Sequence, residues 1–257
     1  MRIGVVGAGS IGRRHIGNLL ALGCTVAVAD PSPKARARVA KDYAVAACDS
    51  VLRFEGLDAL VIATPYDSHL DWVEEAVRRK LPFFVEKPLG SLEQLPRWRE
   101  IAAMELPVNQ VGYNCRCHPK AQEMKRGTFL VPRVFFLCCD IGTWPGRYGD
   151  PLLECSHEID LALWCGSSVL NSARRFTGGA GLRFDDGTMV WMLWESQDPY
   201  SRRWLHQTIV EPHELDATYY IEMAAFLEAI RLGCPSICTL CDGLKVLEVC
   251  AQVEAMA

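Results

Sequence analysis

At 257 residues the chain is long enough for one large or two ordinary domains, and 50% of its residues are hydrophobic, so a sizeable core is expected. Its 27 Lys and Arg stand against 31 Asp and Glu, a net charge of −4 with both signs scattered along the chain, which argues against nucleic acid or an anionic membrane surface as a partner. No apolar run approaches the ~18 residues of a membrane span, and the first glycines arrive before a signal-peptide core is complete, so the expectation is a soluble, cytoplasmic protein.

Residues 2–6 read as a short buried strand, followed by Gly7-Ala8-Gly9-Ser10-Ile11-Gly12 and then a helix through Arg13, His15, Ile16, Leu19 and Leu22 that Gly23 stops. A second strand, residues 25–29, ends on Asp30. Each part suits a dinucleotide. Gly7 permits a tight turn out of the strand, Gly9 lets a pyrophosphate approach bare backbone, and Gly12 lets helix and sheet pack closely. The helix N-terminus, from Ser10 and Ile11 on, offers unpaired N–H groups and a positive dipole end. Asp30 stands where a carboxylate accepts hydrogen bonds from both ribose hydroxyls and would repel a 2′-phosphate, so NAD is expected over NADP. Arg36 and Arg38 lie further along the next helix, poorly placed to hold such a phosphate. A lone G-x-G-x-x-G is weak evidence; one lying between strand and helix, with strand and acid following, is much stronger.

Beyond Asp30, Ser32-Pro33 starts a helix running to Lys41, with Ser as N-cap and Pro at the first helical position. A short strand spans 43–48. Residues 57–63 form a near-continuous apolar run, as a parallel strand buried on both faces would. It ends at Thr64-Pro65, after which Ser68 is expected to cap a helix with apolar Leu70, Val73 and Val77. Residues 82–85 make another strand, broken by Glu86-Lys87-Pro88; a helix over 92–104 and a strand over 108–112 follow. The alternation implies an α/β domain, a doubly wound parallel sheet of Rossmann type. Ligands of such sheets bind beyond the carboxyl ends of the strands, so Gly7 to Gly12, Asp30, Thr64-Pro65, Glu86-Lys87-Pro88 and Tyr113-Asn114 should line one crevice.

From about Arg116 the pattern changes. Residues 118–126 read as helix, 133–140 as strand and 152–164 as helix. Strands over 174–177, 182–185, 189–195 and 205–210 follow, with Asp185-Asp186-Gly187 as a hairpin turn. Helices over 219–232 and 242–255 close the chain. The expectation is a dinucleotide-binding domain over 1–116 and a smaller α+β open-sheet domain for substrate and oligomerisation over 117–257. The 12 cysteines are dispersed, and those such as Cys24, Cys155, Cys165 and Cys250 sit in apolar stretches as small hydrophobes. Cys234, Cys238 and Cys241 have a spacing that can hold an iron–sulfur cluster, but with no fourth ligand in reach structural cysteines are the better reading.

Taken together, these residues resemble the Gfo/Idh/MocA oxidoreductases, named for glucose–fructose oxidoreductase and inositol dehydrogenase. The resemblance rests on Gly7 to Gly12, Ala63-Thr64-Pro65 with His69, Glu86-Lys87-Pro88, Gly112-Tyr113-Asn114 with Arg116 and His118-Pro119, Ser156-His157-Glu158-Ile159-Asp160, and the closing helices with Phe226 and Asp242-Gly243. It implies NAD or NADP between two domains, with Lys87, His157 and Asp160 facing a sugar, cyclitol or nucleotide-sugar substrate. It also implies homo-oligomers that associate through the second-domain sheet. Two departures stand out. Leu153 occupies a position where the family commonly carries an acid, with Glu154 the nearest carboxylate, and the chain is short for the family, with residues 142–153 compressed.

Hydride transfer needs a group to take or give the hydroxyl proton. Lys87, in a crevice beside the cofactor, is the first choice, against the bland reading of a surface lysine at a strand end. His157 is the second, sharing a helical stripe with Glu154, Asp160 and Trp164, and Asp160 would fix its tautomer. Arg116, His118 and Asn114 are candidates for substrate hydroxyls or a phosphate, or else an ordinary domain junction. His69 is a candidate for cofactor contact. Trp144 and Tyr148 could stack on a sugar ring or simply pack. No metal is required. Two other classes compete with a dehydrogenase: an NAD-dependent glycoside hydrolase or lyase of the same fold, and a cofactor-binding regulator without turnover. Residues 188–194, Thr-Met-Val-Trp-Met-Leu-Trp, place apolar side chains alternately on both strand faces, Trp191 among them, so both faces should be covered, one of them by a second copy.

Overall fold

The structure, a computed structural model, describes residues 1–50, 53–126, 134–138, 156–167, 170–176, 179–185, 189–193 and 212–256. They divide into two compact units, one of Met1–Asn114 with Asp216–Gly243 and one of Cys115–Leu215 with Leu244–Ala257. In the first unit β1 (Arg2–Val6), α1 (Ser10–Ala21), β2 (Thr25–Ala29), α2 (Pro33–Tyr43), β3 (Ala46–Cys48), β4 (Ala59–Ile62), α3 (His69–Arg78), β5 (Phe83–Glu86), α4 (Leu95–Ala102) and β6 (Asn109–Gly112) follow one another. The six strands form one sheet in the order β3-β2-β1-β4-β5-β6, every pairing parallel. This is the doubly wound order, and its direction reverses between β1 and β4.

The local signals largely hold. Ser32 caps α2 by accepting the Ala35 N–H at 3.3 Å with Pro33 in the first turn, and α2 ends where Ala44 turns left-handed at φ 54°. β4 is buried at all four positions, as its apolar run requires. Ser68, by contrast, caps nothing. A 3-10 turn over Tyr66–Ser68 precedes α3, and the Ser68 hydroxyl lies 2.9 Å from Thr64 Oγ1 and 2.9 Å from the Pro65 carbonyl, folding back on the β4 loop instead.

The first unit's core joins Ile3, Val5, Val28 and Val61 of the sheet to Ile16 and Leu19 of α1, and also to Met223, Phe226 and Leu227 of a helix spanning Pro212–Leu232. Phe226 meets Phe84 of β5 edge to face at 5.9 Å. The grouping therefore differs from a single boundary at 116: residues 216–243 pack with the first unit, because their apolar stripe completes that core. The segment after this helix also covers the edge of β6. The Val111 N–H donates to the Cys238 carbonyl at 2.8 Å and the Leu240 N–H to Asn109 Oδ1 at 2.7 Å, so the strand offers no open ladder there. Cys238 is buried, serving this segment as packing.

In the second unit α5 (Pro119–Arg126), β7 (Val134–Cys138), α6 (Ser156–Trp164), β8 (Leu170–Phe176), β9 (Gly179–Phe184) and β10 (Met189–Leu193) are described; the Pro212–Leu232 helix, mostly of the first unit, is α7, and α8 spans Leu240–Met256. The sheet runs β7-β10-β9-β8; β9 is antiparallel to both neighbours and β10 parallel to β7. Helix α6 packs on β7 and β10. The expected α/β domain followed by a smaller α+β sheet domain is thus the observed architecture. No helix among the described residues is long and apolar enough to cross a membrane. The expected strand over 205–210, the Asp186-Gly187 turn, Cys155, Glu154, Trp144 and Tyr148 lie outside the described residues.

Candidate cofactor and substrate site

The glycine loop has little freedom to be anything else. Gly7 lies at φ +98°, where a side chain is strained, and a Cβ there would stand 2.4 Å from the Ala63 carbonyl oxygen. A Cβ on Gly12 would stand 2.0 Å from the Gly7 carbonyl oxygen. A Cβ on Gly9 would meet nothing within 4 Å. Two of the three glycines thus close backbone onto backbone, and the third opens the loop outward. Helix α1 begins at Ser10 with Gly9 as N-cap, no side-chain cap and no acid in its first turn. The N–H groups of Ser10, Ile11 and Gly12 have no intrahelical acceptors, and nothing negative in the chain's own first turn competes for the dipole end. This fits a pyrophosphate.

Asp30 leaves β2 half-buried, its Oδ2 accepting the Ala8 N–H at 2.8 Å and its Oδ1 the Ser32 N–H at 2.8 Å. It pins the glycine loop to the β2 turn, and each oxygen keeps a lone pair for a ribose hydroxyl. Arg36 corrects the sequence reading. Rather than lying too far along α2, its Nη1 folds back to the carbonyls of Asp30 at 2.8 Å and Pro31 at 2.9 Å. A cation is therefore anchored at the very turn that carries the acid.

Thr64 is half-buried and Pro65 exposed after β4, and Glu86 and half-buried Lys87 follow β5, with a cis peptide before Pro88. His69, expected at the cofactor, is instead buried behind this wall. Its Nε2 lies 2.9 Å from the Thr64 carbonyl and its Nδ1 3.1 Å from the Pro88 carbonyl, so both ring nitrogens are engaged by the protein and the imidazole acts on the β4 and β5 loops it joins. The Lys87 N–H donates to Glu86 Oε2 at 3.2 Å. Glu86 Oε1 in turn meets His15 Nε2 at 2.6 Å. The sequence reading passed over His15 as one more residue of α1. Its signal was an imidazole on the stripe of Gly12, Ile16 and Leu19, all of them buried.

Asn114, expected to bind substrate, is buried in the first unit and donates to Thr218 Oγ1 at 2.6 Å. In the second unit Arg116 and Asp160 are spent largely on each other. Arg116 Nε donates to Asp160 Oδ2 at 2.9 Å and Nη2 to Oδ1 at 2.6 Å, the two side chains being 4% and 0% exposed. The guanidinium also lies over the Trp164 ring at 5.6 Å. A buried bidentate pair of this kind fixes α6 against the segment after Asn114, a different task from the tautomer control expected of Asp160 and the substrate contact expected of Arg116. His118 is buried beside them in sequence, and His157 stands half-buried on α6.

Residues 1–113 match the Gfo/Idh/MocA family model, described as an oxidoreductase family with an NAD-binding Rossmann fold. The match covers the first 113 of the chain's 257 residues. An inositol 2-dehydrogenase of Rhizobium meliloti is 32% identical over 133 residues, covering 49% of this chain and 40% of that protein. A scyllo-inositol 2-dehydrogenase (NAD(+)) of Bacillus subtilis is 31% identical over 180 residues, covering 63% and 53%. The chain thus spans about half the length of the curated relatives it matches. Among solved structures, a UDP-N-acetylglucosamine 3-dehydrogenase from Acidithiobacillus ferrooxidans superposes with a TM-score of 0.78 at 22% identity, over 100% of this chain and 97% of that one, and so shares the fold. The family's Rossmann domain is an NAD-binding one, and the loop geometry here accords with it.

His69 also couples the loops after β4 and β5 to pH. Burial pushes its imidazole below the ordinary histidine value; the carbonyls of Thr64 and Pro88 and the Glu86 carboxylate pull the other way without offsetting it. Below about pH 6.5 the unfolded chain then binds a proton that the folded one refuses, so stability falls as pH drops from there toward the lowered folded value. Urea unfolding between pH 7 and 5 should show this decline at up to about 1.4 kcal/mol per pH unit from this group, and His69→Gln should flatten it. Parallel pH profiles for the two proteins would contradict the assignment.

Proposed function

We propose that this protein is an NAD-dependent oxidoreductase that moves a hydride between the nicotinamide and a hydroxyl-bearing or carbonyl carbon of a polyhydroxylated small molecule: a sugar, cyclitol or nucleotide sugar. The observation that carries the reading is the run of strand ends on one parallel sheet: the open Gly9 loop after β1, Asp30 after β2, Thr64-Pro65 after β4 and Lys87 after β5. The names of the relatives, dehydrogenases of inositols and of UDP-N-acetylglucosamine, support the substrate class.

In this reading Ser10, Ile11 and Gly12 hold the pyrophosphate through their N–H groups, Asp30 takes the ribose hydroxyls, and Thr64 and Pro65 wall the nucleotide. Bound NAD supplies the hydride acceptor. Lys87 takes the hydroxyl proton during oxidation and returns it during reduction, with His157 orienting the substrate. Asn114, Arg116, His118 and Asp160 act by holding the backbone of the substrate side in place. The same reading puts the protein in the cytoplasm.

A screen over sugars, cyclitols and nucleotide sugars, read as NADH absorbance, should find a substrate, and Lys87→Met should cut its turnover by about 10²-fold or more with NAD affinity nearly intact. Unchanged kcat would move the proton to His157. A substrate consumed without net NADH would favour the hydrolase or lyase class, and bound NAD with no turnover on any of them would favour a regulator.

NAD is preferred to NADP here because Asp30 meets a 2′-phosphate with like charge. Since Arg36 is anchored at the same turn, Asp30→Ala should bring NADP binding within about tenfold of NAD or better. Tighter NADP binding by the unaltered protein would sink the assignment.

The protein is further proposed to be a homo-oligomer through the second-unit sheet. β10, read Met-Val-Trp-Met-Leu, is an interior strand of that sheet, and α6 packs on it from one side. Light scattering at micromolar concentration should give at least twice 28.6 kDa. A mass near one chain would refute it, and Trp191→Glu should split the assembly.

A further inference from the structure

His15 and Glu86 meet inside the first unit, and neither their burial nor their partners are accounted for by the roles given so far. His15 is 0% exposed, its Nε2 lies 2.6 Å from Glu86 Oε1, and its Nδ1 has no hydrogen-bond partner among the described residues. A proton on Nδ1 would be a buried donor with nothing to receive it, so the imidazole carries its proton on Nε2 and donates it to the carboxylate. The ring cannot swing away. It packs edge-on against Phe84 at 5.0 Å and Tyr219 at 6.2 Å, and Arg14 lies over Tyr219 at 4.6 Å. Phe84 and Glu86, two apart on β5, share the face that receives His15. Even the neighbouring strand makes room: a Cβ on Gly112 would stand 3.1 Å from Glu86 Oε2 and 3.1 Å from the Phe84 ring.

Stability alone is a poor reason for such a pair, since a buried polar contact is commonly replaced by apolar side chains without loss. What distinguishes this one is the pair of elements it joins. His15 sits on α1, six residues into the helix whose N-terminus faces the open glycine loop. Glu86 Oε2 accepts the Lys87 N–H, so the carboxylate grips both the helix and the backbone of the proposed proton carrier.

We propose that His15 is a positioning residue for Lys87: through Glu86 it makes the phosphate-binding helix and the Lys87 backbone one body, so that seating a pyrophosphate on α1 fixes where Lys87 stands. The inference rests on the reading of α1 as the pyrophosphate site and of Lys87 as the proton carrier. It concerns the order of events, since it makes Lys87 competent only once the nucleotide is bound.

The test uses ADP-ribose, which has the pyrophosphate and the adenosine of NAD but no nicotinamide to cover Lys87. Pulse acetylation of the full chain with acetic anhydride, read by mass spectrometry at the Lys87 peptide, measures the lysine's exposure and basicity without turnover. Saturating ADP-ribose should slow acetylation of Lys87 at least about fivefold in the unaltered protein. In His15→Phe, which fills the same ring cage but donates nothing, the slowing should shrink below about twofold while the ADP-ribose Kd stays within about threefold. His15→Gln, which restores a donor toward Glu86, should recover most of it. Equal slowing in the unaltered protein and His15→Phe, or no slowing in the unaltered protein with ADP-ribose bound, overturns the proposal and leaves the cofactor site standing. Failure of ADP-ribose to bind the unaltered protein overturns the cofactor reading beneath it. Should His15→Phe not fold, His15→Leu, close to histidine in volume, carries the same comparison.

Discussion

Three stretches of backbone meet where no side chain fits. The Gly7 carbonyl lies against Gly12, and Gly7 itself lies against the Ala63 carbonyl, with distances of 2.0 and 2.4 Å to where a Cβ would be. The rest of the first unit is arranged by that approach. It brings the start of α1 directly over the gap between β1 and β4, where the strand order reverses and a parallel sheet leaves a crevice. It aims an uncapped helix N-terminus outward past Gly9, and it sets the buried stripe of α1, His15 included, toward β5. Asp30 then ties the loop down from the other side through the Ala8 N–H.

Behind this backbone contact the first unit carries its polar residues as connectors. Glu86 links β5 to α1, His69 links the loops after β4 and β5, and Asn114 links the end of the sheet to Thr218 of α7. The second unit has one of the same kind, Arg116 with Asp160. Each joins segments distant in sequence, and each leaves buried groups whose loss would strand a partner away from water, which stiffens each unit where the connector lies. In the first unit, rigidity of that sort suits the proposed reading, in which a cofactor carbon and a proton carrier are held in register.

Periodicity and turn chemistry are local, and they were legible. The six parallel strands, the Ser32-Pro33 helix start and the glycine roles could all be read from residues within a few positions of one another. Place along a strand end was legible too, so Asp30, Thr64 and Lys87 follow β2, β4 and β5 where the pattern put them. What the pattern could not convey was which polar side chain a neighbour from elsewhere in the chain would consume. Arg116 and Asp160 are 44 residues apart, and His15 and Glu86 are 71 apart. Nothing local distinguishes a histidine that meets a ligand from one that meets a carboxylate across the sheet. The grouping of residues 216–243 with the first unit was hidden for the same reason, since an apolar stripe does not state which core it completes.

The proposed function requires a loop shaped around a pyrophosphate, which calorimetric titration of NAD into Gly9→Ala and Gly12→Ala can measure. A methyl at Gly9 enters open space, so that variant should melt like the unaltered protein yet bind NAD at least about tenfold more weakly. A methyl at Gly12 strikes the Gly7 carbonyl and should instead lower the melting temperature. Full NAD affinity in Gly9→Ala, or no NAD binding by the unaltered protein, would contradict the account.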